Sequence, residues 1–380
     1  MRCREEALTV KTLCALLAAT GLALTAAPAR EQRLLYVASP GIRNYVEWGG
    51  KGVLVYDIDR GHAFVKRIPS PFDDPGGKVE NIKGVCASAA TRRLYVTSLS
   101  RLACIDLMTE KPLWVQALDG GCDRLSITPD GKLLYVPSLE GPHWNVVDAA
   151  TGAVIRKLLT GTGAHNTLCL PNGRRVFMAD LRSPTLLAAD PATQEIVQRV
   201  GPFSAPIRPY TVNGAGTLAF VNVNGLLGFE VGDVTTGKML ARVEVPGFKQ
   251  GNLKRHGCPS HGVGLTPDEK ELWVVDGANQ RVHVFDARAM PPSYLTSIEL
   301  LVDQPGWVTF SLDGAYAYPS TGEVIDTRTR KIVAHLQDEQ GRQVQSEKLL
   351  EIDFAGGVPV LAGDQFGVGR VLTVPATRQP

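Results

Sequence analysis

The sequence lacks any marked charge imbalance and any run of five or more like charges. It has 40 Lys and Arg residues against 38 Asp and Glu residues, a formal net charge of +2. Proteins that bind nucleic acid without sequence preference need a basic surface that neutralises phosphates. The charge therefore argues against nucleic acid as a partner, while the hydrophobic content of 44% excludes a disordered or collagen-like chain.

Several chemical motifs with well-understood mechanics are also absent. The chain has no C-x-x-C-H for covalent haem, no H-E-x-x-H, no G-x-S-x-G, no P-loop and no dinucleotide fingerprint. The sequence therefore gives no motif support for a metalloprotease, a serine hydrolase or a nucleotide-binding protein. We therefore expect neither haem nor a nucleotide as cofactor.

Cysteine is scarce, with seven residues in the whole chain. Cys3 and Cys14 lie in the N-terminal segment described next, so an odd number remains for the folded part. A chain of this length has enough apolar residues for a large core and needs no disulfide framework. Cys122 and Cys258 fall in predicted loops, where a disulfide between them is an open alternative.

An apolar stretch from Leu13 to Ala27 stands apart from the rest of the sequence. Basic residues precede it, and Ala27-Pro28-Ala29 matches the A-x-A pattern of signal-peptide cleavage. We expect residues 1–29 to be a signal peptide, residues 30–371 to be one folded domain and residues 372–380 to be a tail. The mature protein is then periplasmic or secreted, with no membrane span after cleavage.

An apolar-aromatic-apolar triplet recurs through the chain at intervals of about 42 residues. Clear copies are Leu94-Tyr95-Val96, Leu134-Tyr135-Val136 and Leu272-Trp273-Val274. A second strand ending in Asp follows most copies, and a turn such as Thr128-Pro129-Asp130-Gly131-Lys132 precedes them. With 39 Gly and 25 Pro to form tight turns, each unit contains four short strands, which is the signature of a propeller blade.

The repeat resembles that of the YVTN family of β-propeller proteins, whose pattern is S-P-D-G-K-x-L-Y-V-T-N, then V-I-D, then T-G-K. The best copies are the turn at Thr128 with its triplet, and Leu94-Tyr95-Val96-Thr97-Ser98. The resemblance covers about residues 33 to 371. It implies a propeller and leaves function open, because propellers host unrelated roles.

We therefore predict an all-β protein, a seven-bladed β-propeller with four-stranded blades. Seven innermost strands can be counted, but the first blade has none of its own. The strand over residues 349–354 is therefore expected to close the ring by joining the N-terminal blade, residues 33–68. Residues 358–361 and 370–372 resemble further strands and would fit an incomplete eighth blade, but we expect them to be a C-terminal extension.

Residues just before the innermost strands should converge around the central channel. These positions carry charged, imidazole and aromatic groups in place of one repeated residue, which is typical of a site. His165, His261 and Tyr210 are candidate catalytic residues. Candidate substrate-binding residues are Arg43, from the long loop over residues 41–50, with Lys83, Asp123, Arg124, Asn166, Arg208, Trp307 and Lys348.

The segment His256-Gly257-Cys258-Pro259-Ser260-His261 is the sharpest local cluster. Imidazole and thiolate are zinc and copper ligands, so His256, Cys258 and His261 form a candidate site for Zn or Cu. The spacing is not one of the strong zinc signatures. A loop without metal is the competing interpretation.

Two functions remain open at this stage. One is a binding or scaffolding protein, a monomer whose loops hold a small-molecule, glycan or peptide ligand. The other is an enzyme acting on a small anionic or carbohydrate-derived substrate, in the manner of a lyase or lactonase. In that case His165 or His261 is the general base, and Arg208 with Tyr210 and either Lys83 or Lys348 holds a carboxylate.

Overall fold

Short antiparallel strands form seven sheets within the residues that the computed structural model describes, 31–72, 79–161, 163–253 and 255–373. The sheets are the blades of a β-propeller, which confirms the predicted fold class. The predicted signal peptide over residues 1–29 and residues 374–380 of the predicted tail lie outside the described residues. The one helical element in the described ranges is the 3-10 turn Ile58–Arg60, so no helix there could cross a membrane.

Blades 2 to 7 each consist of four consecutive strands, numbered from the channel outwards. Blades 2, 3 and 4 comprise β4 Gly84–Ser88, β5 Arg93–Thr97, β6 Arg101–Asp106, β7 Pro112–Ala117; β8 Ser126–Ile127, β9 Leu133–Pro137, β10 His143–Asp148, β11 Val154–Leu159; and β12 Ala164–Cys169, β13 Val176–Asp180, β14 Leu186–Asp190, β15 Glu195–Val200. Blades 5, 6 and 7 comprise β16 Ile207–Val212, β17 Leu218–Val223, β18 Gly228–Asp233, β19 Lys238–Glu244; β20 Val263–Leu265, β21 Glu271–Asp276, β22 Arg281–Asp286, β23 Ser293–Glu299; and β24 Val308–Phe310, β25 Tyr316–Pro319, β26 Glu323–Asp326, β27 Lys331–His335.

Burial follows position within each blade. Second strands such as β9 are buried along almost their whole length, because neighbouring blades cover both faces. Outermost strands such as β15 alternate exposed and half-buried residues, as expected for a strand with one wet face. The apolar triplets therefore lie where two blades pack together, which explains their recurrence.

Blade 1 joins the two ends of the described chain. Its sheet has the order β29-β28-β1-β2-β3, with β1 Gln32–Ser39, β2 Gly52–Asp57, β3 Ala63–Ile68, β28 Leu349–Ala355 and β29 Val358–Ala362. Strand β28 pairs with β1 in an antiparallel register that places Tyr36 opposite Leu350. The predicted closure of the ring is confirmed.

Strand β29 and the residues after it do more than extend the C-terminus. β29 is a fifth strand on the channel side of β28. Residues 363–371, here called the channel segment, then run along blades 5 and 6, where Leu265 N donates to Gly367 O and Gly369 N donates to Val212 O. The ring of Phe366 packs against Tyr210 and Trp307. The channel segment therefore fills one end of the central channel.

A repeated turn marks the face of the propeller where the channel segment ends. Asp130 accepts a hydrogen bond from Thr128 Oγ1 and another from the backbone N of Lys132. Thr266 and Ser311 begin turns of the same design, in which the acceptor is the Asp two residues later. Arg370 N donates to Pro267 O in one of these turns. The loops that enter the innermost strands therefore lie on the opposite, open face.

The five described cysteines, Cys86, Cys104, Cys122, Cys169 and Cys258, are free thiols. The alternative of a disulfide between Cys122 and Cys258 is therefore wrong. Both side chains are buried. Packing, and not cross-linking, accounts for their position.

Candidate functional site

A cavity of about 260 Å³ opens on the face formed by the loops that enter the innermost strands. We call it the crown cavity. Its lining comes from every blade except blade 7 and is strongly polar. The lining residues are Ile42, Arg43, Asn81, Lys83, Asp123, Arg124, Glu140, His165, Leu181, Arg208, Arg255, His256, Gly257, His261, Glu347 and Lys348.

Eight of the eleven candidate catalytic and substrate-binding residues converge on this cavity. They are Arg43, Lys83, Asp123, Arg124, His165, Arg208, His261 and Lys348. Residues that lie up to about 300 positions apart in the chain are thus neighbours. Arg43 comes from the loop between β1 and β2, and the other seven lie at or just before innermost strands. Their individual roles remain predictions.

Tyr210, Asn166 and Trp307 do not line the cavity. Tyr210 is fully buried, its hydroxyl donates to the backbone O of Asn166, and burial raises its pKa well above the ordinary value. Trp307 Nε1 donates to Gln365 O, and its ring lies 3.4 Å below the guanidinium carbon of Arg124. Trp307 thus lies between the cavity residue Arg124 and the channel segment, and Tyr210 contacts Phe366 of that segment. Tyr210 is therefore not placed to act on a ligand in the cavity.

Asp123, His165 and Lys83 form one hydrogen-bonded group. His165 Nδ1 lies 2.6 Å from Asp123 Oδ2, and Lys83 Nζ lies 3.3 Å from Asp123 Oδ1. Burial opposes ionisation of Asp123, but the charges of His165 and Lys83 prevail and lower its pKa to about 2. Burial lowers the pKa of His165 against the opposing effect of Asp123.

This group can present a base to the cavity. A neutral His165 that donates from Nδ1 to the Asp123 carboxylate carries its lone pair on Nε2. A carboxylate that fixes an imidazole in this tautomer is a recurrent arrangement in general acid-base catalysis. The arrangement can therefore accept a proton, and it can equally well position a ligand.

Glu347 is the centre of a second charged group. Its Oε2 contacts Arg124 Nη2 and lies 2.8 Å from Lys348 Nζ, which also donates to Gly41 O at 2.7 Å. Burial, reinforced by the charge of Arg124, lowers the pKa of Lys348 to about 7. Burial opposes ionisation of Glu347, but Lys348 and its other cationic neighbours hold the pKa of this carboxyl well below its usual range.

His256 and His261 stack on each other beside Glu347. Their ring centroids are 3.8 Å apart with an interplanar angle of 12°. His256 Nε2 lies 2.9 Å from Glu347 Oε1, and His261 Nδ1 lies 3.1 Å from Gly306 O. One potential ligand atom from each of the three residues lies within 4.8 Å of the others.

Cys258 is not part of this cluster, which corrects the ligand set suggested by the sequence. Its Sγ lies 2.9 Å from Ser260 O and 3.3 Å from Val223 O, so its single S–H has two backbone carbonyls as possible acceptors, and burial raises its pKa to about 12. A metal-binding thiolate would need the opposite shift. Glu347, and not Cys258, is the third potential ligand beside His256 and His261.

Arg208, Arg43 and Arg255 give the cavity its excess of positive charge. Arg208 Nε donates to Asn224 Oδ1 at 2.6 Å, Arg43 donates to the backbone O of Arg255, and Arg255 lies over the ring of Trp48. None of the three has a carboxylate within ion-pair distance among the described residues. The lining as described has six cationic side chains against the carboxylates of Asp123, Glu140 and Glu347.

Arg255, Asn81 and Glu140 line the cavity without having been identified from the sequence. Arg255 directly precedes His256 in the long loop before blade 6, and that adjacency is a usable signal. Asn81 and Glu140 have no such marker, because exposed loops are rich in these residue types.

No protein-family model matches the chain, and no curated protein matches it. Among solved structures, the chain is similar to a chain of hydrazine synthase from Kuenenia stuttgartiensis. The identity is 14% and the TM-score is 0.44, over 68% of this chain and 97% of that chain. A similarity of this strength says nothing about activity. The propeller architecture is compatible with a binding or scaffolding role, but propellers host unrelated functions.

Proposed function

We propose that the protein binds a small oxyanion, a carboxylate or a phosphate, in the crown cavity. The observation that carries this proposal is the set of three arginines, Arg43, Arg208 and Arg255, that lack a carboxylate partner among the described residues. Cations gathered in a confined site repel one another, and an anionic ligand relieves that repulsion.

Arg208 is the proposed anchor for the anion. Asn224 holds the guanidinium through Nε, which leaves the two terminal nitrogens available. That pair of donors matches a carboxylate or phosphate edge in a bidentate fashion. The volume of about 260 Å³ suits a small molecule better than a peptide or glycan chain.

Calorimetric titration with inorganic phosphate, acetate and a uronic acid tests the proposal. The wild-type protein should bind at least one of them, and Arg208→Ala should weaken that binding roughly tenfold to a hundredfold, the effect of losing charge-assisted hydrogen bonds. Arg174→Ala, an exposed arginine in a turn on the opposite face, is the matched control. Equal affinities in both variants would contradict the proposal.

A second candidate function is an enzyme that moves a proton on such an anion. The close contact between His165 and Asp123 favours it, because this contact leaves His165 Nε2 as a base beside the anion site. Lyase and lactonase reactions both fit this chemistry. The variant His165→Gln should abolish formation of unsaturated or ring-opened products from uronic acids and lactones while anion binding persists.

Export completes the proposal. The basic N-terminus, the apolar segment and Ala27-Pro28-Ala29 support cleavage after Ala29 and a periplasmic or secreted protein. N-terminal sequencing of the exported chain should then begin at Arg30. A chain that keeps Met1 in the cytoplasmic fraction would overturn this part.

A further inference from the structure

The geometry points to a divalent transition-metal site formed by His256, His261 and Glu347 in the wall of the crown cavity. The site shares the cavity with the proposed anion but does not depend on that anion. It replaces the ligand set suggested by the sequence, because Glu347 supplies the third ligand in place of Cys258.

The donor set and its spacing suit such an ion. Two imidazoles and one carboxylate bind zinc in catalytic sites and iron in non-haem sites, where open positions remain for water or substrate. The candidate ligand atoms lie within 4.8 Å of one another. Only a small inward movement separates them from ligand distances of about 2.1 Å around one ion.

A hydrogen bond to the backbone leaves Nε2 of His261 available to bind a metal. Its Nδ1 lies 3.1 Å from the carbonyl O of Gly306, so it donates there and leaves the lone pair on Nε2. Metal-binding histidines commonly have this hydrogen bond to a backbone carbonyl, which fixes both the tautomer and the ring orientation.

A second, independent observation comes from unsatisfied polar atoms. Glu347 Oε1 and His256 Nε2 are both buried, lie 2.9 Å apart, and have no hydrogen bond of acceptable geometry among the described residues. Two ligands at about 2.1 Å from one zinc ion are separated by about 3.4 Å at the tetrahedral angle, only about 0.5 Å more than the distance between these two atoms. A shared ion would satisfy both atoms.

Gly306 leaves the room that this arrangement needs. A side chain at position 306 would clash with His256 Nε2 and with Glu347 Oε1. The two ligand atoms therefore lie close to the Cα of Gly306. The carbonyl O of Gly306 also accepts the hydrogen bond from His261 Nδ1.

The two oxygens of the Glu347 carboxylate have different neighbours. Arg124 and Lys348 contact Oε2 of Glu347, the oxygen that faces away from the histidines. They hold the carboxylate in place, as outer partners of ligating carboxylates do, and leave Oε1 for the metal. Their charges also repel a cation, so we expect weaker binding than at a zinc site rich in thiolates.

Zn²⁺ titration of the chelator-treated, full-length protein tests the inference. The wild type should take up about one Zn²⁺ per chain, and Co²⁺ in its place should produce visible absorption bands of a bound ion. His256→Ala should lower the affinity at least tenfold. His256 is suitable for substitution because its side chain lies in a loop and is 20% exposed.

Two variants serve as matched controls. Cys258→Ser and His165→Ala remove the nearest thiol and another cavity histidine, and both should bind Zn²⁺ as the wild type does. Circular dichroism checks that every variant is folded. The inference is overturned if the wild type binds no Zn²⁺, if His256→Ala binds like the wild type, or if Cys258→Ser alone loses the metal.

Failure of this inference can be told apart from failure of the proposed function. Phosphate or acetate binding is measured on the chelator-treated protein, and Arg208→Ala is compared there with Arg174→Ala. If the protein binds an anion but no Zn²⁺, the metal-site inference is wrong and the proposed function stands. If the protein binds Zn²⁺ but none of the anions, the proposed function is wrong and the metal-site inference stands.

Discussion

Asp123 is a fully buried carboxylate that its neighbours keep ionised. Its pKa in the folded protein is about 2, against an ordinary value of 3.8, because His165 and Lys83 outweigh the effect of burial. A lowered folded pKa stabilises the protein above the ordinary value, and that contribution is lost as the pH falls from 3.8 towards 2. At neutral pH it amounts to about 2 kcal/mol.

We predict that Asp123→Asn removes this part of the acid sensitivity. Urea unfolding at a series of pH values should show a shallower decline in the free energy of unfolding between about pH 4 and 2. At neutral pH the variant should be less stable, because Lys83 and His165 lose their shared acceptor. Identical acid slopes in the two proteins would be evidence against this assignment.

His165 adds a second contribution to the acid response, at higher pH than that of Asp123. Its pKa lies below the ordinary 6.5, mainly through burial, with Asp123 raising it and Lys83 and Arg124 lowering it. Unfolding therefore takes up a proton at pH values below 6.5, and stability begins to fall there. His165→Gln should remove this earlier decline and leave Arg124 and its ion pair in place.

Most of the charged residues that line the crown cavity could be identified from the sequence, whereas the direction of each side chain could not. His165 and Asn166 are neighbours on one strand, so only one of them can face the cavity. Arg208 and Tyr210 would share a face in a regular strand, but a register shift between Ile207 and Tyr210 separates them. Such irregularities depend on the partner strand and leave no mark in the local sequence.

At the scale of elements, the repeat predicted the blades because each unit contains the same turn and the same buried triplet. Ring closure also followed from the sequence, since blade 1 lacked an innermost strand and residues 349–354 had no other partner. The position of β29 did not follow. Its apolar residues indicate a strand, but its pairing with β28 inside the channel depends on tertiary contacts that the local sequence does not show.

One aromatic side chain of the channel segment, Phe366, is buried in the propeller. Phe366 is 2% exposed and packs between Tyr210, with ring centroids 6.1 Å apart, and Trp307, with centroids 5.4 Å apart. We predict that Phe366→Ala lowers the free energy of unfolding by about 3–5 kcal/mol, the usual cost of such a cavity.

Leu372→Ala is the matched control, since Leu372 lies just beyond the segment and is 54% exposed. It should change stability by no more than about 0.5 kcal/mol. Urea unfolding followed by tryptophan fluorescence measures both variants, because Trp307 reports directly on the packing. Similar losses in the two variants would mean that the segment contributes little to the core.

At the scale of the whole molecule, the ring is held closed by the pairing of β1 with β28. Tyr36 and Leu34 face Leu350 and Ile352 across this pair, and all four belong to one buried cluster. Arg33 adds a buried ion pair to Glu351 and a partly exposed one to Asp313 in blade 7. Blade 1 therefore depends on residues more than 300 positions away in the chain.

Three shortened chains separate closure of the ring from filling of the channel. A chain that ends at Lys348 loses β28, and we predict that it has no cooperative unfolding transition, because β1 exposes an unpaired edge and its apolar partners are gone. A chain that ends at Ala362 keeps β28 and β29 and should still unfold cooperatively, at a lower urea concentration than one that ends at Thr373. If the chain that ends at Lys348 unfolds as cooperatively as the chain that ends at Thr373, the strand pairing is not what holds the seven blades together.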